Sequence, residues 1–267
     1  MTTIIIPTNF RQLCNTLKNF LSCMRIKNHI NGKCMIYNSD ILIQLFDFPD
    51  SIFYNNYIHN PNDIIIKRTH WRFTIFDNDL NIDKVINNKF ALMFQDFKDH
   101  MFCKNYQHNS IDFLYNPELF NSIYEDYSNI FNNLIIKQNI INKVNNFYNT
   151  HCNENTISVH LRSWIDCNDR KKYFNINNFY NKIDEFNNGI NTFYVTSDNI
   201  NICYDIKKKY GNNIIIYESD NDTSLINAFI NLLLLSKNKI LIGTYLSTFT
   251  ELAYIINYNI NKQIYIL

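Results

Sequence analysis

A histidine, an arginine and an aspartate stand close together in the run Ser158-Val159-His160-Leu161-Arg162-Ser163-Trp164-Ile165-Asp166. Thr156 to Leu161 reads as a short strand. Side chains alternate along a strand, so His160 and Arg162 share one face at its carboxyl end. In open α/β sheets that end is where ligands bind. An arginine there presents a rigid fork of donors that fits a phosphate, and His160 adds a second donor. The competing reading is structural: an arginine paired with a local carboxylate such as Asp166, beside a satisfied core histidine.

A second segment is Gly243-Thr244-Tyr245-Leu246-Ser247-Thr248-Phe249-Thr250-Glu251-Leu252-Ala253-Tyr254. A strand passes through glycine and hydroxyl residues into a helix. The amide N–H groups and positive end of that helix make an anion site, with Ser247 and Thr248 able to cap and to donate. The plainer role for both is N-capping. A third segment, Tyr194-Val195-Thr196-Ser197-Asp198-Asn199, is another strand-to-helix turn, in which Asp198 either faces a ligand or caps the helix after it.

The elements that must hold these segments are clearest after Thr156. Strands are expected at 156–161, 192–195, 213–217, 239–242 and 263–267. Helices are expected at 175–188, 200–210, 225–235 and 248–256. Ile176, Phe179, Tyr180, Ile183 and Phe186 fall at helical spacing. Gly211 closes the helix before it, and Asp222 or Thr223 caps the next. Strand and helix alternate throughout, which implies right-handed crossovers and a parallel, doubly wound sheet.

The first half reads similarly but less regularly. Thr3 to Ile6 is an expected strand, 13–30 an amphipathic helix and 34–37 a strand. Pro117 to Tyr148 forms one or two helices joining the halves. The division is expected near 149–155, giving an α/β domain over 1–150 and a second over 151–267.

Bulk properties narrow the function. Net charge is +1 with no long basic run, unlike a protein devoted to nucleic acid. The seven cysteines are odd in number and form no C-x-x-C pair, so the expectation is reduced, buried thiols and no zinc cluster. No apolar run approaches the ~20 residues needed to span a bilayer, and the start lacks a leader pattern. A soluble, cytoplasmic protein is expected. Four widely spaced glycines allow no G-x-G-x-x-G, which excludes a dinucleotide-dependent oxidoreductase. Asparagine and isoleucine fill roughly a third of the chain, so asparagine is a weak turn signal here.

The three segments, in this order, resemble the α-1,6 and α-1,2 fucosyltransferases and the nodulation-factor fucosyltransferases related to them. Their H-x-R-R-x-D-like segment corresponds to His160 through Asp166. Their strand ending in T-D-D corresponds to Thr196-Ser197-Asp198. Their G-T-x-S-S segment corresponds to Gly243-Thr244-Tyr245-Leu246-Ser247, ending in Ala253-Tyr254. Leu13-Cys14-Asn15-Thr16-Leu17 looks like the family's G-x-x-N-x-L opening.

The resemblance implies a GT-B fold: two Rossmann-like domains with parallel sheets, the N-terminal one on the acceptor side and the C-terminal one holding the donor. It implies an inverting, metal-independent glycosyltransferase that uses a nucleoside-diphosphate sugar, GDP-fucose, and a glycan acceptor, with no other cofactor. By the match, His160 and Arg162 grip the β-phosphate, and Arg162 stabilises charge as the diphosphate leaves. Ser247 bonds the phosphates or the base, and Asn231 aligns with an aspartate that contacts guanine. Asn15, Asp166, Asp198, Tyr245, Thr248 and Glu251 complete the expected substrate-binding set. Glu251, Asp198 and Asp166 are the carboxylates available as a base.

The chain departs from the family where Ser163 replaces a second arginine, Leu246 a serine and Asn231 an aspartate. Those changes support an alternative reading, a degenerate relative that binds a sugar or nucleotide without turning it over.

Overall fold

The computed structural model describes residues 3–7, 13–30, 32–36, 40–53, 56, 58, 64–68, 73–75, 117–164, 171–219, 221–245, 247–258 and 262–267. The chain divides into two compact units, Met1–Lys137 and Gln138–Leu267.

In the first unit, strand β1 (Thr3–Pro7) leads to helix α1 (Leu13–Ile30), strand β2 (Lys33–Cys34), helix α2 (Asp40–Leu45) and strand β3 (Phe46–Asp47). Strands β4 (Ile64–Arg68) and β5 (Phe73–Ile75), helix α3 (Pro117–Asn132) and strand β6 (Ile135–Ile136) follow. The sheet order is β2-β1-β4-β5. β1 lies parallel to β2 and β4, whereas β5 runs antiparallel to β4, so this sheet is not wholly parallel as expected. β4 and β5 are separated by only four residues, too few for the crossover that parallel pairing requires. On α1, Leu13, Leu17, Phe20 and Leu21 are buried, the face expected from their spacing. Arg25 Nε holds Asp126 of α3 at 2.6 Å.

The second unit opens with helix α4 (Gln138–His151), then strand β7 (Thr156–Leu161), helix α5 (Ile176–Phe186), strand β8 (Thr192–Ser197) and helix α6 (Ile200–Tyr210). Strand β9 (Ile214–Ile215), helix α7 (Ser224–Lys237), strand β10 (Ile240–Gly243), helix α8 (Thr248–Ile255) and strand β11 (Gln263–Ile266) complete it. All pairings in its sheet are parallel, in the order β11-β10-β7-β8-β9.

Local chemistry explains these boundaries. Asn175, Asn199, Thr223 and Ser247 each cap a helix through a side-chain oxygen. Gly211, at φ +65, ends α6. The apolar strand residues Ile157, Val159, Phe193 and Val195 pack with Phe179 and Ile183 of α5 and Ile206 of α6. Fully burying one such side chain stabilises by about 1.5–3 kcal/mol. β7 is buried along its whole length, as a central parallel strand should be. Lys143 of α4 pairs with Asp222 just before α7, and Lys262 donates to the carbonyls of Leu235, Ser236 and Ala253, tying α7 to α8.

The strand order has one consequence for function. From β7 the chain moves to β8 and then β9 on one side, and it later places β10 and β11 on the other. The direction reverses between β7 and β10, so a crevice opens at their carboxyl ends.

Candidate functional site

Thr244 joins the two strand ends at that crevice. Its hydroxyl accepts the Arg162 backbone N–H at 2.7 Å and donates to the His160 carbonyl at 3.1 Å. The hydroxyl thereby extends the link between β7 and β10 beyond the last paired residues, Ile242 and Val159. The two segments singled out in the sequence therefore meet at one edge of one sheet.

His160 is buried, 4% exposed. Its Nδ1 lies 2.7 Å from Thr250 Oγ1, and its ring stacks on Phe249 with centroids 4.8 Å apart and planes 19° from parallel. Burial pulls its pKa down to about 3; the Asp198 carboxylate opposes that pull and the Arg162 guanidinium reinforces it. His160 is therefore a neutral imidazole at pH 7.

Arg162 follows the last residue of β7, with its side chain 35% exposed. Nη1 lies 3.3 Å from Asp198 Oδ2, and Cζ sits 5.1 Å from the centre of the Trp164 ring. Trp164 has φ +53, a left-handed backbone that a bulky residue adopts only under constraint. That turn brings the indole back beside the guanidinium, giving a cation–π contact. Asp198 Oδ1 accepts the Ser163 N–H at 2.7 Å and the Ser197 hydroxyl at 3.3 Å. One carboxylate thus fixes both the arginine and the turn that carries it. Asn199, not Asp198, caps α6.

Ser247 caps α8, its side chain accepting from the Thr250 N–H. It is 2% exposed. Thr248 is the first residue of α8, and Tyr245 in the preceding turn meets Tyr173 edge-on at 5.6 Å. Glu251 is fully buried on α8, which places its carboxylate inside the unit rather than at an accessible edge. The amide of Asn231 on α7 is engaged internally: Oδ1 accepts from the Tyr194 hydroxyl at 2.6 Å, and Nδ2 donates to the Asn227 carbonyl at 2.8 Å. Asn15 lies on α1 in the first unit. Asp166 falls outside the described residues. His160, Arg162, Asp198, Ser247 and Thr248 thus gather around the ends of β7, β8 and β10.

The sequence reading missed Thr244, Phe249 and Thr250, which lie inside the segment it quoted. The available signal was Gly243. A Cβ there would sit 2.1 Å from Thr250 Cγ2 and 2.9 Å from Thr250 Oγ1, so the glycine makes room for a side chain seven residues on. Among the described residues, no group of three or more His, Cys, Asp or Glu residues could hold a metal ion. Among them, too, no helix is long and apolar enough to cross a membrane.

The arrangement is suited to an anion. A guanidinium, a neutral imidazole and the N-terminal end of α8 are grouped at a sheet crevice.

No family model matches the sequence, and a search of curated proteins finds no match. Solved structures do match. A structure of NodZ α-1,6-fucosyltransferase soaked with GDP-fucose aligns at TM-score 0.59 and 12% identity, over 96% of this chain and 93% of that one. A selenomethionine form of NodZ from Bradyrhizobium aligns at TM-score 0.58 and 13% identity, over 95% and 91%. POFUT1 in complex with GDP-fucose aligns at TM-score 0.57 and 10% identity, over 99% and 98%. The chain therefore has the α/β, GT-B-like fold of these fucosyltransferases.

Proposed function

We propose that the chain is a glycosyltransferase that moves fucose, or a similar deoxyhexose, from GDP-fucose to a hydroxyl of a glycan acceptor. The observation that carries this reading is the meeting of Arg162, His160 and the start of α8 at the strand-order reversal between β7 and β10. Similar folds solved after soaking with GDP-fucose or in complex with it support the choice of donor.

In this reading Arg162 and His160 hold the β-phosphate. The acceptor oxygen attacks the sugar C1 from the face opposite the diphosphate. The C1–O bond to the β-phosphate breaks, its electron pair goes to the phosphate oxygen, and the acceptor proton passes to water. Configuration inverts. Arg162 stabilises the growing charge on the leaving diphosphate, the step where electrostatic help counts most. The buried Glu251 and the arginine-bound Asp198 are poorly placed to take the acceptor proton, Asp166 lies outside the described residues, and leaving-group stabilisation is the contribution the described side chains can supply. We propose further that the reaction needs no metal: EDTA leaves the rate unchanged, and full inactivation reversed by manganese would overturn that point.

A second reading, binding without turnover, rests on Ser163. Among the described residues its buried hydroxyl has no hydrogen-bond partner, and it stands at the position where the resembling family carries another arginine. Calorimetry with GDP, UDP and dTDP separates the possibilities, followed by hydrolysis of GDP-fucose without acceptor. Preferential GDP binding with slow hydrolysis is expected. Binding without hydrolysis or transfer would favour the second reading, and binding of neither nucleotide nor fucose would remove both.

A further inference from the structure

We infer that Thr250 is a positioning residue that fixes His160 as the Nε2–H tautomer, so that the imidazole faces its ligand as a neutral hydrogen-bond donor. The balance of protons and lone pairs decides the tautomer. The Thr250 hydroxyl has one proton to give. Its oxygen already accepts the Thr244 backbone N–H at 3.2 Å. Among the described residues, the acceptor within reach of its proton is His160 Nδ1, at 2.7 Å. If Thr250 donates there, Nδ1 is unprotonated and the ring's single proton lies on Nε2. The opposite tautomer could place Nδ1–H on the oxygen's second lone pair, but it would leave the threonine proton, in a fully buried residue, without an acceptor among the described residues.

Two further contacts hold this geometry. Phe249 stacks on the imidazole and fixes its plane. Gly243 leaves the space into which the Thr250 side chain fits. An Nε2–H is the polarity that an oxyanion requires; a bare Nε2 lone pair would repel it. The oxyanion class is a phosphate of a nucleoside diphosphate, and this part of the inference rests on the function proposed above.

The test uses the full chain labelled with 15N at histidine. Long-range 1H–15N spectra separate the two tautomers, and a His160→Gln variant assigns the signal among the seven histidines. The wild type should show the Nε2–H pattern at pH 7. Thr250→Ser should preserve it. Thr250→Val, which keeps the shape but cannot donate, should shift it toward Nδ1–H or an exchanging mixture. GDP affinity by calorimetry should fall about tenfold in Thr250→Val, corresponding to about 1.4 kcal/mol, and stay close to wild type in Thr250→Ser.

An Nδ1–H or doubly protonated His160 in the wild type would overturn the inference, as would an unchanged tautomer in Thr250→Val. Should Thr250→Val not fold, the wild-type and Thr250→Ser spectra still decide. An Nε2–H ring in a protein that binds no GDP would instead sink the functional reading and leave the tautomer assignment standing.

Discussion

The Arg162 guanidinium lies 3.3 Å from the Asp198 carboxylate, whose other oxygen accepts the Ser163 N–H at 2.7 Å. The aspartate therefore aims the arginine and braces the turn from which it projects. Bidentate donors are useful to a phosphate only when held in direction, and this pair supplies that hold at the tip of β8.

Replacing Arg162 tests the centre of the proposal. Arg162→Ala should lower turnover of GDP-fucose by at least about a hundredfold, in the range found for removing one oxyanion donor. Its side chain is partly exposed, so the melting temperature should change little. Arg162→Lys should recover only part of the activity because it keeps the charge and loses the fork. Full activity in Arg162→Ala would remove this residue from the mechanism, and a collapse in stability would make its role structural.

Asp198→Ala should weaken GDP binding about threefold to tenfold and cost about 1–3 kcal/mol of stability, because the Ser163 N–H loses its acceptor. Asp198→Asn keeps an acceptor and should fall between. Calorimetry and denaturant titration measure both effects. Tighter GDP binding in Asp198→Ala would mean that the carboxylate competes with phosphate instead of aiming the arginine.

Acidification should destabilise the second unit through His160. Burial holds its folded pKa at about 3, below the ordinary value of 6.5, against the Asp198 carboxylate and together with the Arg162 guanidinium. Between those two values the unfolded chain binds one proton more, so stability rises with pH through this window and is lost as pH falls. Between pH 7 and pH 5 the wild type should lose about 1–2 kcal/mol more than His160→Gln, measured by urea unfolding. Equal losses would show that the histidine is not held neutral.

Gly243→Ala would place a methyl 2.1 Å from Thr250 Cγ2. Overpacking of this kind costs about 1–3 kcal/mol. Adding Thr250→Ser removes the clashing methyl, so the double variant should be more stable than the two single effects predict. Strict additivity in thermal melts would show that the two residues do not share that space.

Much of the second unit was legible because its elements have strong local signals. Gly211 and the apolar period of 176–186 marked a helix end and a helix face, and both are observed. Strand β9 proved shorter than its apolar run, because only Ile214 and Ile215 pair with β8. Asp198 and Asn199 were harder to separate: either residue type caps a helix, and only the tertiary pairing with Arg162 tells them apart. Thr250 left only the indirect trace of Gly243 in the sequence, since a threonine in a helix looks ordinary until the parallel register brings His160 beside it. In the first unit β5 reverses direction at a place where the sequence shows no helix to carry a crossover, and that absence was the missed clue.

The reversal between β7 and β10 is a property of connectivity, not of any side chain. Substitutions that keep the order of the strands keep a gap at the same backbone position, whatever lines it. A chain that shares about one residue in eight with NodZ can therefore keep the same fold, and in the function proposed above that gap is the oxyanion's berth, while the residues around it are left to choose which sugar and base come attached.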